Sequence, residues 1–221
     1  MTDEKSLSIP EFYIDSLPLT HGTDFRELIR HIEIRADASN IYVWLKQLRV
    51  APYSYDLLDN GGRKSPGYII ENLPRLKVNA HFLLAFHILS FEENKFITGR
   101  FCVPINPPVN RYMKEMFIEY RIQELQEPGT NTRLWCKVKG WYNNDIASKG
   151  FYNIFKTVNL IMTRRQLRKI KKLSERLRIG KVKSGIYDLT NYYTESGLFW
   201  WIFCRRKNCN GLMKSNDFIV K

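Results

Sequence analysis

The chain has 221 residues, of which 44% are hydrophobic, 26% charged and 14% aromatic, a globular balance that excludes wholesale disorder. A chain of this length buries roughly 70% of its unfolded surface, so no disulfide or metal staple is required. No apolar run reaches the roughly 20 residues of a membrane span, and the formal charge of +13 directs attention to anionic partners.

The first residues are acidic and polar, without the basic and apolar regions of a secretory signal. Four cysteines are too few for a disulfide scaffold, so the expected location is the cytoplasm. The positive charge is local. Arg164 to Lys183 carries ten Lys or Arg against the single acid Glu175, which leaves only +4 for the other residues.

Residues 1–24 hold Pro10, Pro18 and Gly22 with no sustained period, and read as an arm lying over the domain. Leu28, Ile32 and Ile34 alternate with His31, Glu33 and Arg35, the pattern of a half-buried strand. Asp37 or Ser39 then caps a helix with Ile41, Trp44, Leu45 and Leu48 on one face, and Pro52 ends or restarts it. Tyr53 to Leu58 reads as a short second helix, and Asp59 to Gly67 as a loop.

Strands follow. His81 to Phe91 is expected as one strand with Phe82, Leu84, Phe86 and Ile88 on one face, and Phe96 to Val103 as the next. Met116, Ile118, Tyr120 and Ile122 share a face in the third. Leu134, Cys136 and Val138 do so in the fourth, with Trp135, Lys137 and Lys139 opposite. The connections, including a hairpin turn at Glu127 to Asn131, are too short for parallel crossovers, so the sheet is antiparallel. A long helix is expected from Gly150 to Leu177, with Phe151, Phe155, Val158, Met162, Ile170 and Leu173 on its apolar face, ended by Gly180. Gly185 to Tyr193 and Leu198 to Cys204 each read as a strand or a docking segment.

A strand, short helices, an antiparallel meander and a long C-terminal helix make an α+β arrangement. Within it, Val43-Trp44-Leu45-Lys46-Gln47-Leu48-Arg49, Tyr53-Ser54-Tyr55-Asp56, Leu58-Asp59-Asn60 and Arg63-Lys64-Ser65 carry a resemblance. Over residues 25–177 the sequence resembles the START-like superfamily, also called SRPBCC, in its polyketide cyclase-related branch. The resemblance implies a helix-grip fold: a curved antiparallel sheet around a long C-terminal helix, with a cavity between them that often holds an apolar compound. The implied organisation is an arm at 1–24, the helix-grip domain at 25–180, and an extension at 181–221 that packs on the domain or over the cavity mouth. The resemblance implies no particular reaction and no cofactor.

The residues expected to line that cavity are Phe82, Leu84, Phe86, Ile118, Tyr120, Ile122, Leu134 and Val138 from the strands and Phe155, Val158 and Met162 from the helix. The competing reading is that they pack together as solid core. Trp44, Tyr53, Tyr55, Asp59 and Arg63 surround the Gly-rich loop and are candidates for the cavity mouth, against a purely structural use as anchors and turn caps. A cyclase- or dehydratase-like enzyme is the alternative, with Tyr55, Asp59, Arg63 or Tyr120 supplying acid–base chemistry. His81 and His87 share the face opposite Phe82 and Phe86 and are not expected in the cavity.

No metal site is expected, since Cys204 and Cys209 lack a second pair and Cys102 and Cys136 lie on separate strands. The basic segment at 164–183 has three readings. It is a solvated helix face, or it contacts an anionic membrane helped by Leu198 to Phe203, or it contacts nucleic acid, the least favoured partner because no recognised motif is present. The expected function is non-covalent binding of a small hydrophobic or amphipathic molecule.

Overall fold

The computed structural model describes residues 8–18, 21, 24–54, 64–83, 86–101, 111–125 and 132–189. Alternating apolar residues build six strands that pair antiparallel in one sheet. They are β1 (Arg26–Ile34), β3 (His81–Phe82), β4 (Phe86–Glu92), β5 (Phe96–Phe101), β6 (Met113–Glu124) and β7 (Thr132–Tyr142), in the order β1-β7-β6-β5-β4-β3. Helix α1 (Ala38–Gln47) follows β1, and the long helix α2 (Ile146–Arg178) follows β7. A small parallel pair, β2 (Ile69–Ile70) with β8 (Ser184–Gly185), ties the chain after α2 back to the segment after α1. This is an α+β helix-grip arrangement, a meander sheet with a long C-terminal helix against one face.

The expected strand from His81 to Phe91 is instead a hairpin. Phe82 pairs with Phe86 and His81 with His87, and Leu83 turns the chain with φ of +49°. Alternation hid the turn because residues paired across an odd-numbered loop keep their face, so parity runs unbroken from Phe82 to Ile88. No Gly, Pro or Asn marks this turn. On the inner face, a Cβ at Gly99 would lie 3.0 Å from the Phe82 ring and 3.2 Å from Phe86, so glycine is what lets these rings lie over β5.

Helix α2 begins four residues earlier than its pattern suggests. Asp145 caps it, its side chain accepting from the Ser148 amide at 2.9 Å and from the Ser148 hydroxyl at 2.6 Å. Gly150 lies within the helix rather than at its start. At the other end Gly180 has φ of +67°, with Gly180 N donating to Leu177 O and Lys181 N to Arg176 O. That bond pair is a Schellman ending, which needs a residue free to adopt left-handed backbone. The second helix expected at Tyr53 to Leu58, the turn at Glu127 to Asn131 and the segment from Leu198 to Cys204 lie largely or wholly outside the described residues.

The outer face of the sheet is covered. Phe12 and Ile14 of the N-terminal arm are buried there with Phe117, Trp135 and Trp141. The Ile14 amide donates to Glu119 Oε2 at 3.0 Å, and Asp15 pairs with Lys137 at 2.7 Å. Lys137 also reaches Glu27 at 3.0 Å, and Lys139 lies 4.3 Å from the Phe25 ring centroid, so these buried cations sit among carboxylates and ring faces. Replacing Phe12→Ala is expected to cost about 3 kcal/mol of stability. It should also red-shift tryptophan emission as Trp135 gains water; unchanged stability and emission would contradict this packing.

Candidate ligand-binding site

Inward positions of β6 and β7 face α2. Tyr120 and Cys136 are register partners at the middle of this face, and both are buried. The Phe82 ring meets Tyr120 edge-on at 6.0 Å. The Tyr120 hydroxyl donates to Gln166 Oε1, and Gln166 Nε2 donates to the Pro52 carbonyl. One amide side chain therefore joins sheet, helix and the segment after α1. Its burial without these bonds would be costly, which makes the pair a strong positional constraint.

A second polar group sits nearer the N-terminal half of α2. Arg30 is the β1 register partner of Cys136 and points inward, donating from Nη1 to Asn159 Oδ1 at 3.0 Å. Asn159 also receives Thr163 Oγ1 at 3.4 Å. Asn159, Thr163 and Gln166 stand at helical spacing on the face turned toward the sheet. One turn further, Ile170 and Leu173 on the same side are buried against the core. The inner face of α2 is thus polar along its middle and apolar toward its C-terminus.

Of the residues expected at the site, Phe82, Phe86, Ile118, Tyr120, Ile122, Leu134 and Val138 are buried in the main core cluster. Phe155 packs against that cluster, its ring 6.4 Å from Tyr142, and Met162 is half-buried. Val158 is a correction: it is 40% exposed on the outer side of the helix. Its spacing from Phe155 and Met162 fits an apolar face, but the side packed on the sheet is centred on Asn159, about 100° around the helix from Val158.

Trp44 and Tyr53 are buried edge-to-face at 6.0 Å. The Tyr53 hydroxyl accepts from Gln47 Nε2 at 2.6 Å, while Gln47 Oε1 accepts from the Ile70 amide at 2.7 Å. These bonds anchor α1 to β2. Trp44 Nε1 is buried with no hydrogen-bond partner among the described residues. Tyr55, Asp59, Arg63 and Leu84 lie outside the described residues. Sequence reasoning missed Arg30, Asn159, Thr163 and Gln166; the available signal was the i, i+4, i+7 spacing of uncharged polar residues along the helix.

Burial pushes the Cys136 thiol up to about 12, offset in part by the Tyr120 hydroxyl and by Arg30. Burial likewise raises Tyr120 well above the ordinary phenol range. Both remain protonated at neutral pH, so they offer hydrogen-bond donors rather than a base or nucleophile. No group of three or more metal-ligating side chains occurs among the described residues.

His81 and His87 face each other across the β3–β4 hairpin, ring centroids 4.8 Å apart. They lie on the side opposite Phe82 and Phe86, as alternation predicts. Burial, with His87 alongside, lowers His81 to about 4. Between pH 6.5 and 4 the unfolded chain binds a proton that folded His81 refuses, so stability present above 6.5 is lost as pH falls through that window. The melting temperature should decline from pH 6.5 toward 4, and His81→Gln should flatten the decline. Parallel pH profiles for the two proteins would rule His81 out as the cause.

No protein-family model matches the sequence, and no curated protein matches it. Among solved structures, the chain is similar to an aromatase/cyclase from Streptomyces sp. R1128, with 13% identity and a TM-score of 0.44, covering 72% of this chain and 99% of that one. It is similar to ginseng major latex-like protein 151 from Panax ginseng, with 10% identity and a TM-score of 0.39, covering 67% and 96%. A third is the di-domain aromatase/cyclase BexL of the BE-7585A biosynthetic pathway, with 15% identity and a TM-score of 0.41, covering 71% and 52%. The strand order and the placement of α2 define the fold by themselves. The chain has a helix-grip arrangement, an antiparallel meander sheet with the long helix α2 against one face.

Proposed function

We propose that the protein binds a small apolar or amphipathic molecule, non-covalently, between the inner face of the sheet and the N-terminal half of α2. The observation that carries this reading is the inward polar set of buried Tyr120, Thr163 and Gln166 and half-buried Arg30 and Asn159 within aromatic and aliphatic surroundings. Apolar walls with a few fixed polar groups suit a ligand that has one polar end. Phe155 and Met162, only half-buried, are the natural points of entry on the helix side.

Phe82, Phe86, Ile118 and Val138 supply the wall in this reading, with Ile122 and Leu134 toward the far end of β6 and β7. Trp44 Nε1, buried without a protein acceptor among the described residues, is a further donor for a ligand. Tyr53 acts as a structural anchor through Gln47. A cyclase-like reaction at the same place requires a group that ionises near neutral pH, and Tyr120 and Cys136 are both held protonated. Binding therefore has the better support.

The test is a titration of the purified protein with a fluorescent fatty acid, comparing the wild type with Met162→Trp. The larger ring at the helix edge should weaken binding at least about ten-fold, with the melting temperature held within a few degrees. Absence of saturable binding by the wild type would overturn the reading, and equal affinity of the two proteins would move the site away from α2.

A further inference from the structure

The outward face of α2 carries one continuous stripe of exposed side chains. Ile154, Val158 and Ile161 occupy its first half at 68%, 40% and 49% exposure. Arg165, Arg168, Lys172 and Arg176 continue it, all exposed. The spacing of three or four residues keeps these side chains on one line of the helix, about 33 Å long at 1.5 Å per residue. Arg164, also exposed, widens the cationic half.

The inner side of the same stretch carries Phe151 and Phe155, packed on the core, beside Asn159, so the exposed isoleucines take no part in that packing. Solvation does not account for their exposure: Ile154, Val158 and Ile161 gain nothing from water, and three neighbouring apolar side chains on a helix surface mark a contact. The sequence places no acid in α2 before Glu175, and Glu175 is engaged with Lys171 at 2.8 Å.

We infer that this stripe docks α2 on an anionic lipid bilayer, with Ile154, Val158 and Ile161 entering the acyl boundary and Arg168, Lys172 and Arg176 resting on headgroup phosphates. The pairing of an apolar and a cationic patch on one face selects the occupant. Nucleic acid would satisfy the cations but offers no apolar contact to the isoleucines. A second copy packed antiparallel about Val158 would bury the isoleucines but leave the cations of both copies without an opposite charge. An anionic bilayer alone presents negative headgroups above an apolar layer at the depth that a surface helix reaches. The docking is peripheral, as no helix among the described residues is long and apolar enough to cross a membrane. The inference does not depend on what occupies the interior.

The test is co-sedimentation of the full chain with phosphatidylcholine vesicles containing about a third phosphatidylserine, alongside pure phosphatidylcholine vesicles and a duplex DNA titration. The wild type should bind the anionic vesicles and not the neutral ones. Arg168→Glu with Lys172→Glu should weaken binding at least about 25-fold, from roughly five-fold per cation. Ile154→Asp with Ile161→Asp should weaken it at least about ten-fold. Both double variants alter exposed positions only, so unchanged circular dichroism verifies that they fold. Failure of the wild type to bind anionic vesicles overturns the inference, as does vesicle binding that survives both variants. DNA binding that is lost with the cations and indifferent to the isoleucines would assign the stripe to nucleic acid instead.

Discussion

The long helix is held at one place on the sheet by the bond from the Tyr120 hydroxyl to Gln166, continued from Gln166 to the Pro52 carbonyl. The link joins three segments far apart in sequence at a buried point, where an unpaired amide or phenol costs about 1–3 kcal/mol. Below it, toward the C-terminus, α2 packs conventionally, with Leu167, Ile170 and Leu173 buried. Above it the helix presents Asn159 and Thr163 to the sheet beside Phe155, while Ile154, Val158 and Ile161 turn outward. The inner side of the helix is thus apolar toward its C-terminus and mixes polar groups with rings along its middle.

That division gives the two faces of the helix different work. In the reading proposed above, the donors and acceptors inside orient a ligand with a polar end, and the protonated Tyr120 and Cys136 favour recognition over bond-making. Outside, an apolar trio continues into a row of cations. Under the two proposals, uptake of an amphipathic molecule and contact with the surface that supplies it would use opposite faces of one helix. The arm across the other face of the sheet supports this arrangement from behind, since Phe12 and Ile14 cover Trp135 and Trp141 and leave the opposite face for α2.

Much of this architecture is legible in the chain itself. Leu28 and Ile32, Ile118 to Ile122, and Leu134 to Val138 alternate as half-buried strands do, and the structure places them inward. The failures have definite causes. The hairpin at Leu83 preserved parity across its turn, so one strand was expected where there are two. Val158 fits an apolar spacing and yet lies outside, because the helix is rotated by the Tyr120–Gln166 bond and by Arg30 with Asn159. Those are side-chain partnerships between β1, β6 and α2, and local periodicity contains no trace of long-range pairing. Asp145 was overlooked because capping is set by one side chain, while the apolar pattern only becomes regular at Phe151.

Native mass spectrometry of the freshly purified full chain tests the central claim most directly. The account predicts a species heavier than the polypeptide, with the extra mass released on denaturation and recovered as an amphipathic compound of one or a few kinds. A bare polypeptide mass that gains no adduct when the protein is offered long-chain fatty acids would contradict it, and would make Arg30, Tyr120, Asn159 and Gln166 structural ties rather than a recognition site.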